Sequence, residues 1–160
     1  MKDSEFTASA EHIRPAAPED ACRMAEIEIS NYRLNFYPIF RSDWFYFVHL
    51  QVPNFMERYE KEPELIAHSF VYDDGAVKGF VRINGSEAEK LFVEPVLQNR
   101  GIGSCLLDFA IAQGCEYLWP LELNKRAIAL YERHGFRLTG DRRPEEGTAE
   151  VLVKMELKKG

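Results

Sequence analysis

The fold is decided by the stretch LFVEPVLQNRGIGS, residues 91–104. It begins as an apolar strand over Leu91–Val93, passes through a proline into a turn that contains Gly101 and Gly103, and continues as an apolar helical pattern through Leu106. The first turn of a helix has four N–H groups without intrahelical partners, and the aligned peptide dipoles add about half a positive charge there. Because glycine leaves the backbone open to a ligand, the stretch predicts a phosphate-binding turn; a plain connection between strand and helix is the alternative.

Two common phosphate motifs do not fit this turn. No Gly-Lys-Ser/Thr follows it, as a Walker A motif requires, and the third glycine of the dinucleotide fingerprint is missing. The run QNRGIG over Gln98–Gly103 instead resembles the acyl-CoA pyrophosphate loop of the GNAT superfamily of N-acetyltransferases, Gln/Arg-x-x-Gly-x-Gly/Ala. Asn124 and the run YERHGF over Tyr131–Phe136 match the same family at the expected distance. The resemblance extends from Ile13 to the C-terminus and is sharpest over residues 87–136.

Length and composition set the broad class of the protein. The chain has 160 residues, 46% of them hydrophobic and 29% charged, which predicts a single domain with its own core. A formal net charge of −6 argues against a nucleic-acid partner and weakly favours a cationic one. No apolar run approaches the ~20 residues of a membrane span, and no secretory leader follows Met1. The three cysteines follow no disulfide or metal-site spacing, which favours a reducing cytoplasm as the location of the protein. The sequence leaves open whether the protein is a monomer or a homodimer.

Turn signals and hydrophobic periodicity divide the chain in the order β-α-α-β-β-β-α-β-α-β-β. The predicted strands are His12–Ala16, Leu65–Tyr72, Ala76–Ile83, Glu87–Val93, Tyr117–Leu121, Phe136–Thr139 and Val151–Leu157. The predicted helices start at Pro18, at Ser42, directly after the phosphate-binding turn and at Lys125. We expect Pro53 to interrupt or kink the second helix, Gly140–Glu150 to be a mobile loop and residues 1–11 to be a flexible arm. The order predicts an α/β fold of mixed α+β character: a GNAT-like twisted mixed sheet of about seven strands with helices on both faces, in one GNAT acetyltransferase domain over residues 1–160.

The resemblance implies that acetyl-CoA is the cosubstrate. Its diphosphate would bind the amides of Gly101–Ser104 and be flanked by Gln98 and Arg100. Main-chain groups of Phe92 and Val93 would contact the pantetheine arm, and the next strand would splay away to open a slot for the thioester. The predicted cofactor-binding residues are Leu91, Phe92, Val93, Gln98, Asn99, Arg100, Gly101, Ile102, Gly103, Ser104, Asn124, Ala127 and Tyr131.

Asn124 and Tyr131 lie about two helical turns apart, so both can face one cleft. Asn124 would cap the helix, contact the pantetheine amide or the substrate, or do both, and Ala127 is small enough to let the cofactor pass. Tyr131 is either a packing residue or the general acid. A phenol with a pKa of ~10 keeps its proton at neutral pH and can give it to a thiolate, whose conjugate acid titrates near ~8.5. The matching family tyrosine has that role, so the resemblance assigns it to Tyr131.

A general base is needed because an attacking amine with a pKa of ~10.4 is almost fully protonated at neutral pH. Glu87 lies on the strand before the turn and, by the two-residue period of a strand, is expected to share a face with Glu89, Leu91 and Val93. Glu122, close to the end of the strand that borders the cleft, is the second candidate. A water chain without a dedicated side chain is the alternative to both. The weaker candidates are Glu94, Glu28 and His134.

The expected activity is transfer of an acetyl group from acetyl-CoA to a primary amine, on a small molecule or a protein, by direct attack. Six aromatic residues of the N-terminal helices are candidates for the acceptor pocket or for the helix core: Tyr32, Phe36, Tyr37, Phe40, Trp44 and Phe47. Two alternatives remain on the sequence alone, an acyl-CoA-binding sensor or partner module without turnover and a binder of nucleotide phosphates.

Overall fold

The computed structural model describes residues 6–145 and 149–158. Its strands are β1 (Ile13–Pro15), β2 (Ser69–Asp73), β3 (Val77–Asn84), β4 (Glu87–Val93), β5 (Tyr117–Leu118), β6 (Phe136–Pro144) and β7 (Val151–Leu157). Its α-helices are α1 (Ala21–Asn35), α2 (Tyr37–Phe40), α3 (Val52–Lys61), α4 (Glu64–Ala67), α5 (Ile102–Ala112) and α6 (Lys125–Arg133). Short 3₁₀ segments cover Ala10–His12, Pro18–Asp20 and Pro95–Leu97, and a π-helical segment covers Trp44–His49.

Seven strands form one mixed sheet in the order β1-β2-β3-β4-β5-β7-β6. Within the described residues the neighbouring strands are antiparallel except for the pair β4 and β5, which is parallel. The hairpins that join β2 to β3 and β3 to β4 lie at the glycine turns predicted from the sequence. The predicted mixed sheet of seven strands is confirmed, and the elements follow the predicted order apart from the additional short helices α2 and α4.

Helices cover the sheet on both faces, as predicted. On one face, Leu106 of α5 and Ile128 of α6 pack with Val81 of β3 in the larger core cluster. On the other face, Ile27 of α1 packs against Phe80 of β3, and α3 joins the same cluster. Because alternate residues of a strand point to opposite faces, neighbouring positions of β3 supply both cores.

The strand predicted over Leu65–Tyr72 is wrong in its first half. Glu64–Ala67 forms α4 instead, and β2 begins only at Ser69. A short apolar run fits a buried helix as well as a strand. Here the helix starts at Pro63, whose carbonyl accepts a hydrogen bond from the Ala67 amide at 3.1 Å.

Of the two outcomes expected at Pro53, the structure shows an interruption rather than a kink. The helical region is interrupted earlier, between the π-helical segment and α3, and Pro53 lies in the first turn of α3. Proline is accommodated there because the first-turn amides have no intrahelical acceptor to lose.

The mobile loop predicted over Gly140–Glu150 is largely a continuation of β6. That strand runs to Pro144 and pairs with β7 on both sides of an irregularity between Leu138 and Arg142. Gly140, with φ of 92°, lies at this irregularity, so its turn-like character interrupts the ladder without ending it. Residues 146–148 of the predicted loop lie outside the described residues.

Of the arm predicted over residues 1–11, residues 1–5 lie outside the described part of the chain. Phe6 and Ala8 pack against the core cluster beneath α5 and α6. The amide of Ser9 donates to the hydroxyl of Tyr72 at 3.2 Å. The remainder of this segment is therefore attached to the domain.

Two features bear on partners. None of the helices in residues 6–145 and 149–158 is both long and apolar enough to cross a membrane. The same residues bring together no group of three or more histidine, cysteine, aspartate or glutamate side chains suited to hold a metal ion. The three cysteines, Cys22, Cys105 and Cys115, are not joined in disulfides.

Candidate functional site

A slot opens in the middle of the sheet because β4 and β5 separate almost at once. They pair at a single position, Glu87 with Tyr117. The chain after β5 then follows β7 instead, as shown by the bond of 2.9 Å from the Val153 amide to the Pro120 carbonyl. Among the described residues, the edge of β4 from there to Val93 has no strand partner on this side. The splayed strands that the resemblance implied are therefore present, and a groove of about 1410 Å³ runs along them.

The backbone of β4 presents alternate residues to this slot. The Glu94 amide donates to the Lys78 carbonyl at 2.8 Å, which fixes the alternation of the antiparallel ladder with β3. Phe92 therefore directs its main-chain groups toward β3, whereas Leu91 and Val93 direct theirs toward the slot. Of the two residues whose main-chain groups were predicted to contact the pantetheine arm, only Val93 directs them to the slot, and Leu91 does so as well.

The carbonyl of Val93 is already occupied, however. It accepts from Asn31 Nδ2 at 2.9 Å and from Gln98 Nε2 at 3.3 Å, and Gln98 Nε2 also donates to Asn31 Oδ1 at 3.0 Å. Val93 can thus offer a ligand its N–H but not its carbonyl. Gln98 thus links the turn to α1. Its Nε2 donates to protein acceptors and is not directed at the diphosphate that Gln98 was predicted to flank.

The turn before α5 carries six consecutive amides, those of residues 99–104, that have no hydrogen-bond acceptor among the described residues. The first amide to find one is Cys105, which donates to the Gly101 carbonyl at 3.0 Å. Asn99 and Gly101 have φ of 66° and 87°, the left-handed conformation that turns successive amides to one side. At a helix N-terminus these donors and the helix dipole together suit a doubly charged phosphate ligand.

His134, one of the weaker candidates for the general base, lies beside these amides. Nε2 of His134 is 3.1 Å from Ser104 Oγ, and its Nδ1 is 2.7 Å from Asp108 Oδ1. Ser104 and Asp108 are four residues apart and so lie on one face of α5, which is the part of this contact visible in the sequence. The sequence does not indicate that His134, at the end of α6, reaches these two residues. This side chain orients the hydroxyl of Ser104 at the mouth of the turn.

Two arginines lie on the outer side of the turn. Nη2 of Arg126, in the first turn of α6, donates to Asn99 Oδ1 at 2.9 Å. The guanidinium of the predicted residue Arg100 lies 5.9 Å from the ring centroid of Phe6. Both side chains are exposed and add positive charge next to the unpartnered amides. Arg126 is an addition to the predicted residues; its position follows from the helix start at Asn124, which the sequence does indicate.

Asn124 caps α6, as one of its two predicted roles requires. Its Oδ1 accepts from the Ala127 amide at 3.2 Å. Its Nδ2 has no acceptor among the described residues, and both residues line the groove. The cap therefore leaves one donor of Asn124 available to a ligand, so the two predicted roles are compatible.

Tyr131 lies two turns further along α6 and lines the same groove. Only 9% of the residue is exposed, and its ring packs edge-on against Phe136 at 6.3 Å. Burial raises the pKa of Tyr131 to about 12, and its hydroxyl has no hydrogen-bond partner within the part of the chain that is described. The phenol is thus protonated throughout the neutral range and free to donate.

A β-bulge changes the surroundings predicted for Glu87. The pairing of β3 with β4 passes over Glu89, so the alternation of side chains reverses at that residue. Glu87 consequently lies on the same face as Lys90, and the opposite face carries Leu91 and Val93. The prediction that Glu87 shares a face with Leu91 and Val93 is wrong, because the two-residue period holds only for an unbroken strand.

The two candidate bases differ in their surroundings. Glu87 lines the groove at the point where the slot begins, and burial, reinforced by the charge of Glu89, raises the pKa of Glu87. Glu122 is absent from the groove lining, and its two carboxylate oxygens contact Arg142 at 2.5 and 3.2 Å. The geometry favours Glu87 as the base over Glu122.

The aromatic residues of the N-terminal helices divide between core and groove. Tyr32 and Phe36 line the groove beside α1. Trp44 and Phe47 are 64% and 46% exposed on the π-helical segment, and the other two pack against neighbouring core residues. Core packing and lining of the groove are thus both realised within this set.

Comparisons with known proteins agree with this geometry. Residues 66–138 match the family model described as the Acetyltransferase (GNAT) domain. Peptidyl-lysine N-acetyltransferase YjaB of Escherichia coli is 30% identical over 63 residues, which cover 39% of this chain and 43% of YjaB. The chain thus matches less than half the length of that relative.

Two solved structures share the fold over most of their length. YncA of Salmonella typhimurium, solved with its cofactor acetyl-CoA, has a TM-score of 0.63 at 21% identity and covers 92% of this chain and 94% of its own. PaiA N-acetyltransferase of Thermoplasma acidophilum, in complex with coenzyme A, has a TM-score of 0.62 at 16% identity, covering 90% and 97%. The family model over residues 66–138 and these two shared folds show that the chain is similar to GNAT acetyltransferases.

Proposed function

We propose that this protein transfers an acetyl group from acetyl-CoA to a primary amine by direct attack of the amine on the thioester. The observation that carries the proposal is the run of unpartnered amides over residues 99–104, placed at the head of the slot between β4 and β5. A diphosphate bound there would direct the rest of the cofactor into the slot. Relatives solved with acetyl-CoA or coenzyme A support this choice of ligand.

The slot supplies partners for the rest of the cofactor. Main-chain groups of Leu91 and the N–H of Val93 face it and can pair with the amides of a pantetheine arm. Nδ2 of Asn124 offers a further donor from the opposite wall. Fixed donors of this kind hold the thioester in one place and polarise its carbonyl, which lowers the barrier to attack.

Tyr131 acts as the general acid in this proposal. Attack of the amine expels a thiolate whose conjugate acid has a pKa near ~8.5, and a phenol at about 12 still carries the proton that the thiolate needs. Glu87 is the proposed base, because its pKa is raised toward the working range and it lines the groove. A water molecule can relay the proton between the amine and Glu87.

The test is an acetylation screen with purified protein, acetyl-CoA and a panel of amines, followed by mass spectrometry of the products and by release of free thiol. The panel includes a lysine-containing peptide, because the relative YjaB is a peptidyl-lysine N-acetyltransferase. Acetylated product from at least one amine supports the proposal. Thiol release at background with every amine, while acetyl-CoA still binds, would instead identify a sensor or partner module. A melting temperature raised by ATP but not by coenzyme A would indicate a nucleotide binder.

The proposed setting is the cytoplasm, where the three free cysteines would stay reduced. Cys105 packs against the core and Cys115 is buried, and burial raises the pKa of both thiols. They are therefore not suited to carry an acetyl group, which agrees with direct attack by the amine.

A further inference from the structure

A cluster of buried charge lies behind the slot, on the face of the sheet that α1 and α3 cover. Arg82 of β3 and Lys90 of β4 are direct partners in the ladder, so their side chains emerge next to each other on this face. Like charges at such positions oppose each other, and Arg82 is only 3% exposed. A cationic pair in this place calls for a compensating anion.

The protein satisfies Arg82 only in part. Its Nε donates to the Leu65 carbonyl at 3.0 Å and to Ser69 Oγ at 3.2 Å. Its Nη2 is buried without a hydrogen-bond partner, and no carboxylate of the described residues lies within ion-pair distance of it. The Tyr59 hydroxyl is buried and unpartnered in the same region, and its ring lies 5.9 Å from the guanidinium carbon. Aromatic contacts offset part of the cost of burying this charge, but they leave two donors unused.

Lys90 takes up the carboxylate that the fold does supply. Its Nζ lies 3.0 Å from the Tyr32 hydroxyl and 3.9 Å from Glu28 Oε2. Glu28 is 4% exposed, and the same oxygen accepts from the Tyr32 hydroxyl at 3.0 Å. Glu145 also favours the charged form of Lys90, so carboxylates of the protein compensate this lysine, whereas Nη2 of Arg82 still has no acceptor.

Except for Tyr59, which does not line the groove, the cluster opens into the groove of the proposed reaction. Arg82, Lys90 and Glu28 line that groove together with Tyr131 and Glu87. A molecule bound at the cluster therefore occupies the same cavity as the thioester. Since the bulge at Glu89 places Glu87 on the cationic face, the proposed base shares that face of the sheet with the cluster.

The opposite wall has the opposite sign. Glu145 and Glu150, at the β6–β7 end of the groove, both exert an electrostatic effect on Lys90. An ammonium group suits that wall, and an anion suits the cationic face. A molecule that carries both groups fits the groove better than one with an ammonium group alone.

We propose that the acetyl acceptor is a small amine that also carries a carboxylate, and that this carboxylate binds between Arg82, Tyr59 and Lys90. The proposal rests on the acetyltransferase activity proposed above. A carboxylate accepts from the free Nη2 of Arg82 and from the Tyr59 hydroxyl, and the planar guanidinium suits its two oxygens.

The experiment compares matched acceptors that differ only in the carboxylate: the common amino acids against their carboxamides, with acetyl-CoA saturating. For at least one pair we expect kcat/KM to be ten times or more higher for the acid, chiefly through KM. Tyr59→Phe and Lys90→Met should each reduce that ratio at least threefold while the rate with the carboxamide stays within twofold. Lys158→Met, an exposed lysine remote from the groove lining, is the matched control and should leave the ratio unchanged.

Arg82→Met should remove the preference for the acid altogether. Because Arg82 is buried, the melting temperature of this variant protein is measured as well. If the variant does not fold, Tyr59→Phe and Lys90→Met decide the question. Equal rates for acids and carboxamides, with product formed from both, would overturn the carboxylate site and leave acetyl transfer intact. Acetylation of the lysine-containing peptide alone would likewise overturn it. Failure of every amine while acetyl-CoA binds would overturn the acetyltransferase activity itself.

Discussion

Replacement of Gly103 by aspartate tests the phosphate-binding turn most sharply, because the structure predicts opposite effects on binding and on stability. A Cβ built at this residue lies 3.5 Å from Leu130 Cδ2 and 3.7 Å from Val93 Cγ2, which is ordinary contact, and its φ is not in the left-handed region. The residue is the second of α5, where replacing glycine with alanine adds about 1 kcal/mol of helix stability. A carboxylate in the first turn adds about 0.3–1 kcal/mol more to the stability of the helix.

The same carboxylate opposes the proposed ligand. At a separation of about 5 Å and an effective dielectric constant of about 20, it would repel each phosphate charge by about 3 kcal/mol. Because salt in the open mouth of the turn weakens this repulsion, we take the energy of one charge pair, about 3 kcal/mol, as the total loss of binding free energy. Because about 1.4 kcal/mol corresponds to a factor of ten, we expect acetyl-CoA to bind at least a hundredfold more weakly.

The assay is isothermal titration of acetyl-CoA into wild type, Gly103→Asp and Gly103→Ala, with melting temperatures of the three free proteins. The alanine variant is the matched control: it adds the same Cβ without the charge and should bind within a few-fold of wild type. Both variants should melt at or above the wild-type temperature. Wild-type affinity in the aspartate variant would refute the assignment of these amides to a diphosphate. Equal loss in both variants would show that the added Cβ, and not the charge, blocks the ligand.

Three further substitutions test the roles assigned around the slot. Tyr131→Phe should lower kcat at least tenfold while the Kd for acetyl-CoA stays nearly constant, and an unchanged kcat would remove Tyr131 as the acid. Glu87→Gln should lower kcat/KM tenfold or more near neutral pH, because no side chain then accepts the proton of the amine. In the wild type, kcat/KM should fall at acidic pH as Glu87, whose pKa is raised, becomes protonated; in the variant it should follow the free-amine fraction and rise with pH without a plateau below the pKa of the amine. Glu122→Gln should keep the wild-type profile. Asn124→Ala should cost about 1 kcal/mol of unfolding free energy through the lost cap and, separately, weaken acetyl-CoA several-fold; weaker folding with unchanged affinity would restrict Asn124 to capping.

The centre of this fold is predictable from sequence because its signals are local. The glycine turns at Gly75 and Gly85 fix two hairpins, and the limits predicted for β4 and β7 agree with the structure. The phosphate-binding turn is likewise encoded in consecutive residues, since a strand, two glycines and a helix start suffice to expose amides. Asn124 is visible for the same reason, as a cap that directly precedes a helical pattern.

The parts that the sequence does not reveal depend on contacts between distant segments. Gln98 looks free in the sequence, but Asn31, 67 residues away, captures its side-chain nitrogen. The bulge at Glu89 has no glycine or proline to announce it, yet it moves Glu87 to the other face of the sheet. His134 reaches Ser104 only because α5 and α6 pack on the same face. Sequence patterns identify which residues are polar, and tertiary packing decides which of them remain available to a ligand.

The charge of the acceptor illustrates the same difference between composition and structure. A net charge of −6 weakly favours a cationic partner, but that field acts through solvent and falls off over a Debye length of about 8–10 Å. For the acceptor site proposed above, selection would take place inside the groove, where burial strengthens short-range charge and where Nη2 of Arg82 has no hydrogen-bond acceptor. A lysine side chain on a peptide would bring only a positive charge to this cavity and leave Nη2 of Arg82 unpartnered. An amine with a carboxylate would fill that position, so the proposed acceptor rests on one unpartnered cation in the groove rather than on the overall charge of the chain.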